Sequence, residues 1–298
     1  KNPVVVLKNN RIIGQMGLIP FWLNLNGKKV SAAWYADLHV LPEYRGRGIA
    51  QKITKELMKL TDICLSFGND QSMAVFKRYG WIKTHNTYLH YFFIKPMNHP
   101  KFIKFSKYFN WFYFIINFFF QNVLSKYYIL KKNKNNNLQV GSLNKNNIKF
   151  FINSKNDSNS INTILDKKYL SWRFLESPDL KNYKVFKYNS NLSALVKSRK
   201  DKKLSWHLDI LLINNLNDNK QTISLLADII LWAKKHNYSY VRLYISNKNL
   251  SKKINRNLLS VISHPRFAYF SKNKKIMKIL RNGIFFWQLA DSDFEFIS

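Results

Sequence analysis

Two α/β units in tandem are predicted by three features of the 298-residue sequence. The first forty residues form a meander of short strands, a glycine-containing loop then leads into an amphipathic helix, and a second run of strands, helix and strand starts near Tyr169. A chain of this length with 46% hydrophobic residues buries one large core or two of ordinary size, and the prior of roughly 150 residues per domain favours two.

Residues 4–7, 11–17, 23–30 and 33–40 read as extended, with turns at Lys8-Asn9-Asn10 and Asn26-Gly27 and a stop at Pro42. Over 49–60, Ile49, Ile53, Leu57 and Leu60 share one helical face and Lys52, Lys55, Glu56 and Lys59 the other. A strand at 63–67, a helix over 69–80 and an extended stretch over 81–94 complete the first unit. Cys64 is expected as a small buried hydrophobe in its strand rather than as a nucleophile.

Residues 108–125 carry no charge and are rich in Phe, Ile, Tyr and Trp, whereas 131–162 are dominated by Lys, Asn and Ser. The first stretch predicts a helix packed between the two halves; an interfacial helix flanked by Lys101, Lys104, Lys107 and Lys126 is the alternative. A true span is disfavoured because it would bury the amides of Asn110, Asn117, Gln121 and Asn122 in hydrocarbon. Strands at 183–188, 192–197, 204–213, 240–245 and 284–289 and a helix over 221–235 form the second unit. The expected divisions are 1–97, a connector of apolar helix and polar linker over 98–137, and 138–298.

The formal net charge of +33 would ordinarily point to a polyanionic partner. However, 39 of the 49 basic residues are Lys, and Asn, Ile and Phe are also abundant, a drift that A/T-rich codons produce. The surplus is spread as +9 over 1–97, +9 over 98–160 and +15 over 161–298, so no dedicated basic domain exists and nucleic acid is not the expected partner. A single cysteine excludes an internal disulfide and a cysteine-based metal cluster, and the histidines show no metal-ligand spacing.

The most informative stretch is Asp37-Leu38-His39-Val40-Leu41-Pro42-Glu43-Tyr44-Arg45-Gly46-Arg47-Gly48-Ile49-Ala50. Glycines let the backbone approach a ligand closely, and the first turn of a helix leaves N–H groups without intrahelical partners. A pyrophosphate placed there would accept those hydrogen bonds at the positive end of the helix dipole. A lone Gly-x-Gly would read as a turn with solvated arginines; the order strand, proline, loop, amphipathic helix favours the anion site.

This stretch resembles the coenzyme A loop of the GNAT acetyltransferase superfamily, R/Q-x-x-G-x-G/A, with Arg45, Gly48 and Ala50 in the defined positions. Val40-x-Pro42-Glu43-Tyr44 matches the family's lead-in, and Asn69 with Gly80-Trp81 fits its N-(x)10-G-aromatic spacing. The resemblance implies a GNAT fold, α/β with a mixed, largely antiparallel sheet flanked by helices, and acetyl-CoA as cosubstrate without a metal. Val40, Arg45, Gly46, Arg47, Gly48, Ile49 and Ala50 would hold the cofactor, with Asn69 on its pantetheine arm. The family fold opens with a strand and one or two helices that are missing before Lys1, so a trimmed N-terminus is expected.

The resemblance also implies direct attack of an amine on the thioester, with a backbone N–H near Val40 stabilising the oxyanion. Asp37 and His39 share one strand face by period two and are the candidates to take the amine proton, against a surface-paired Asp37 as the alternative. Glu43 reads as a solvated charge. The position that often carries a tyrosine general acid is Phe76, which has no proton to give, and Tyr79 is a poor geometric substitute.

In the second half, Ile213-Asn214-Asn215-Leu216-Asn217-Asp218-Asn219 stands where such a loop would belong and has no glycine. Tyr169-Leu170-Ser171-Trp172-Arg173-Phe174 and Trp287-x3-Asp291-Ser292-Asp293 resemble stretches of tandem GNAT-type proteins whose second copy is degenerate. Trp172, Arg173, Asp291 and Asp293 are thus candidates to line an acceptor cleft, against a core aromatic, a surface ion pair and a solvated tail. The expected activity is acetyl transfer from acetyl-CoA to a primary amine of a small molecule or amino sugar, in the cytoplasm, with peripheral membrane contact through 108–125. The alternatives are a catalytically impaired acyl-CoA-binding scaffold, motivated by Phe76, and a membrane-surface protein acting through 98–137.

Overall fold

The computed structural model describes residues 3–84, 87–98, 110–131, 138–152, 160–200, 205–216, 218–283 and 285–289. β1 (Val4–Lys8), β2 (Arg11–Leu25) and β3 (Lys28–Val40) form an antiparallel meander. β2 runs unbroken through residues 18–22, where the sequence suggested a gap. Pro20 is tolerated because β1 flanks β2 only up to Met16 and the short β8 (Ile161–Thr163) only from Leu23, leaving Pro20 with a neighbour strand on one side. Asn26 and Gly27 both take positive φ at the tight turn between β2 and β3.

α1 (Ile49–Leu57) then carries the chain to β4 (Ile63–Phe67), parallel to β3. α2 (Asp70–Arg78), β5 (Ile82–Thr84) and β6 (Tyr88–Phe93) follow. In the connector lie α3 (Asn110–Phe119), a π-helical turn (Phe120–Leu124) and α4 (Ser125–Lys131). The second half holds β7 (Gln139–Ser142), α5 (Lys167–Leu170), β9 (Tyr183–Lys187), β10 (Ser193–Lys200), β11 (Trp206–Ile213) and α6 (Asn219–Lys235). It ends with β12 (Tyr240–Ile245), α7 (Lys248–Leu258), β13 (Val261–Ser263), β14 (Phe267–Phe270) and α8 (Lys274–Asn282).

One unit occurs twice: two antiparallel strands, a helix, then a strand parallel to the second. It is built by β2, β3, α1 and β4 in one sheet and by β10, β11, α6 and β12 in the other. Each sheet then borrows a strand. The first runs β1-β2-β3-β4-β14-β5, with β8 on β2; the second runs β13-β6-β12-β11-β10-β9-β7. β14 from the end of the chain lies between β4 and β5, and β6 from the first half lies between β12 and β13. The division expected at residue 97 therefore does not separate the sheets.

The sheets face each other across a shared core in which Trp34 stacks on Phe67 at 5.3 Å and meets the edge of Trp287 at 5.5 Å. Strand alternation sorts β3: Ala32 and Trp34 enter this core, whereas Ala33 and Tyr35 pack with α1 on the outer face. α6 and α7 cover the second sheet's outer face with Leu225, Ile229 and Ile254. The apolar helix does not pack between the halves: Trp111, Phe114 and Phe118 of α3 are more than half exposed. No helix of the described residues is long and apolar enough to cross a membrane.

Candidate active site

β3 and β4 pair only from Ala32 to Trp34 and Ile63 to Leu65; beyond this the strands part, and the gap is a cavity of about 1010 Å³. Asp37 to Val40 line one wall and Ser66 to Asn69 the other. The pairing of β2 with β3 jumps from Gln15↔His39 to Gly17↔Ala36, so that Asp37 and Leu38 together face Met16 in a bulge. Asp37 takes the left-handed conformation at φ 55°, which an aspartate tolerates better than most residues. Strict alternation is thereby broken, yet Asp37 and His39 are both exposed and both line the cavity.

The loop after β3 is set by its own side chains. Pro42–Tyr44 forms a 3-10 turn, and Arg45 Nε donates to the Val40 carbonyl at 3.1 Å, drawing the loop back over the end of the strand. Gly46 (φ 76°) and Gly48 (φ 77°) are left-handed, and a Cβ on either would meet open space, so the backbone is bare on its cavity side. Gly48 is the N-cap of α1 and offers no side-chain cap; the first intrahelical bond is Lys52 N–H to the Gly48 carbonyl, at 3.0 Å. The first-turn N–H groups at Ile49 and Ala50 are therefore left for a ligand. These bare glycines and open N–H groups fit a pyrophosphate. Arg47 does not line the cavity; its guanidinium lies 5.4 Å from the Tyr44 ring centre.

The corresponding helix of the second half is closed. Asp218 caps α6 by accepting from the backbone N–H groups of Lys220 and Gln221 at 2.9 and 3.0 Å, which places a carboxylate where α1 has bare backbone.

Asn69 is the N-cap of α2. Its carbonyl oxygen accepts from Ser72 N at 3.0 Å, so its amide NH₂ is the group left to face a pantetheine arm. Phe76 lies in the cavity wall, buried and stacked on Trp81 at 4.4 Å. Tyr35 also lines the cavity, but its hydroxyl lies 3.0 Å from Cys64 Sγ in β4; burial, chiefly, and the neighbouring thiol push its pKa up.

The remaining wall comes through the strand exchange and was not visible in the sequence. Leu89 and Tyr91 of β6, Tyr240 and Arg242 of β12, and the loop from Ser263 to Arg266 all face the cavity. Arg266 fastens this loop to the start of α2 by an ion pair with Asp70 at 2.8 Å, and its carbonyl accepts from Gly68 N at 3.1 Å. Trp172 and Arg173 do not line the cavity: they sit in a π-helical turn (Ser171–Leu175), with Trp172 exposed against Tyr169. Their assignment rested on a local motif that carries no information about which wall the segment joins. Asp291 and Asp293 lie outside the described residues.

Residues 1–83 match the family model described as an acetyltransferase (GNAT) domain. No curated protein matches the sequence. Among solved structures, a GCN5-related N-acetyltransferase from Anabaena variabilis is 12% identical with a TM-score of 0.58, covering 90% of this chain and 62% of that one. A GCN5-related N-acetyltransferase from Kribbella flavida is 11% identical with a TM-score of 0.58, covering 90% and 59%. Saccharomyces cerevisiae N-myristoyltransferase, solved with bound myristoyl-CoA, is 13% identical with a TM-score of 0.59, covering 90% and 65%. The chain thus spans less than two thirds of the length of these structures, and the likeness is one of fold.

Proposed function

We infer, from a chain that has the GNAT fold and whose residues 1–83 carry a GNAT acetyltransferase domain, that it transfers an acetyl group from acetyl-CoA to a primary amine of a small molecule or amino sugar. The carrying observation is that one cavity joins the bare N-terminus of α1 at Gly48 to Asp37 and His39 on the bulged strand.

Arg45, Gly46, Gly48, Ile49 and Ala50 would hold the pyrophosphate, and Asn69 the pantetheine arm; Arg47 contributes charge near the loop mouth. The cosubstrate supplies an activated acyl thioester. The residues of the cavity orient the amine, keep bulk water from the thioester and carry protons. A protonated amine is not a nucleophile, so Asp37 or His39 takes its proton, directly or through water. Backbone N–H groups near Val40, where β3 has parted from β4, would face the developing oxyanion. The departing thiolate needs a proton in return, and with Phe76 unable to give one, Tyr91 and Tyr240 offer phenolic hydroxyls on the opposite wall. Tyr91, Tyr240 and Arg242 support an acceptor wall in the second sheet, a role consistent with a second half that has closed its own helix N-terminus with Asp218.

Thiol release from acetyl-CoA across a panel of primary amines and amino sugars tests this reading. Amine-dependent release supports it. Tight acetyl-CoA binding without release for any amine would favour the second reading, an acyl-CoA-binding scaffold, for which the buried, hydroxyl-free Phe76 is the motivating observation.

A further inference from the structure

We propose that the outward face of α3 and α4 docks onto an anionic lipid bilayer. α3 is built inside out. Trp111, Phe114, Ile115, Phe118 and Phe119 follow helical spacing along one face and are 48–69% exposed, while Asn117 points inward, its Nδ2 donating to Asn98 Oδ1 at 3.3 Å. The face continues past the π-helical turn through Ile129 and Leu130 of α4. Contiguous apolar surface of this kind marks an interaction site.

The helices cannot leave the body of the protein to form a span without breaking their anchors. Tyr128 is buried and its hydroxyl donates to the Leu258 carbonyl at 3.1 Å; the Tyr127 hydroxyl donates to the Arg256 carbonyl at 3.5 Å. The 22 residues from Asn110 to Lys131 therefore lie along the surface with their apolar side outward, the posture of an interfacial helix.

The charge around this face decides which partner fits. Residues 71–156 contain 14 Lys and Arg and no Asp or Glu; residues 229–290 contain 13 and none. Both α3–α4 and the adjoining α7 lie in these stretches. Lys126 is exposed on α4, and Lys252, Lys253 and Arg256 are exposed on α7, whose C-terminal turn holds both tyrosine anchors. A second copy would bring the same cationic border against this one and meet repulsion. A bilayer of acidic phospholipid offers hydrocarbon for the aromatic side chains and phosphate for the lysines.

Vesicle flotation of the full chain is the test, comparing pure phosphatidylcholine with an equal mixture of phosphatidylcholine and phosphatidylglycerol. Binding to the mixed vesicles should be at least ~10-fold tighter and should weaken with added salt. The Phe114→Ser/Phe118→Ser pair should lower it by ~10-fold or more with the melting temperature unchanged, because both side chains are exposed. Brominated lipid should quench tryptophan emission in the parent and lose that extra quenching in Trp111→Phe. Equal binding to both vesicle types, unchanged binding by the double variant, or a solution dimer that the double variant dissociates would each overturn the proposal.

Discussion

Arg242 grips Asp209 at both ends of its guanidinium, Nε to Oδ1 at 2.6 Å and Nη2 to Oδ2 at 2.7 Å, with both residues buried in the second sheet. Arg199 at 3.5 Å and His207 at 3.6 Å approach the same carboxylate. Burial alone would push the Asp209 carboxyl up, but Arg242, His207 and Arg199 outweigh it and hold it below the usual range. Since Arg242 lies beside Tyr91 in the ladder and also lines the cavity, the ion pair fixes a wall of the candidate site as well as the sheet.

Asp209→Asn should therefore be costly. It leaves a buried guanidinium without its anion, and breaking such a pair on one side costs about 3–5 kcal/mol. The urea midpoint should fall accordingly, whereas Asp209→Leu/Arg242→Met, which removes both charges, should recover much of the loss. A single variant as stable as the parent would mean that the pair contributes nothing to the fold.

Gly48 is the position where backbone conformation and ligand space coincide. Gly48→Asn keeps a residue that tolerates positive φ, while Gly48→Glu adds strain, bulk and negative charge at the start of α1. Acetyl-CoA affinity by calorimetry should drop only modestly for the first and by tenfold or more for the second. Losing one charge-assisted hydrogen bond alone costs about 1.5–3 kcal/mol.

The backbone geometry of the loop at 45–50 was legible in the sequence because its requirements are local: two left-handed glycines, an uncapped helix start and a preceding strand all lie within a dozen residues. β14 was not. Phe267-Ala268-Tyr269-Phe270 is a four-residue run after Pro265, and nothing adjacent shows that it pairs with β4 and β5, some 200 residues earlier. Tyr91 and Arg242 were missed for the same reason, since they reach the cavity only through the exchange of β6. The exposure of α3 was missed because uncharged aromatic spacing at 111, 114, 115, 118 and 119 describes a buried face as well as an outward one.

Proton transfer should depend on Asp37 and not on position 76. Asp37→Asn should lower the rate of acetyl transfer by the ~10²–10⁴-fold typical of a general base. Phe76→Tyr should leave the rate unchanged or raise it, because the ring already lines the cavity and gains a hydroxyl there. Steady-state rates against one acceptor rank the two variants, and the opposite order would reassign the base.

His90 supplies a pH signature. It is fully buried on β6, with Nδ1 2.6 Å from Ser260 Oγ and Nε2 2.9 Å from Ser251 Oγ, and burial, with a smaller effect of His264, pushes its pKa down to about 4. An unfolded histidine titrates near ~6.5. Below that pH the unfolded chain takes up a proton that the native chain refuses, so stability falls between about pH 6.5 and 4 and levels off below, by up to about 3 kcal/mol. His90→Gln should flatten that part of the stability profile measured by denaturant unfolding. An unchanged slope would place the acid sensitivity elsewhere.

Cutting the chain at Asn137 tests the strand exchange directly. If the halves were autonomous, residues 1–137 would keep the whole cofactor loop and bind acetyl-CoA. The fragment instead loses β14, which supplies the inner ladder for both β4 and β5 and buries Phe267 against Trp34 and Phe67 at 5.8 and 5.4 Å. It also leaves β6 without β12 and β13, exposing Leu89 and Phe92. Two broken ladders and an open core exceed the ~5–15 kcal/mol by which ordinary domains are stable. The expected result is an aggregating fragment with no cooperative melt by circular dichroism, and recovery of a soluble complex when residues 138–298 are co-expressed. A soluble fragment that melts cooperatively and binds acetyl-CoA alone would show that β4 and β5 close the first sheet without their borrowed strand.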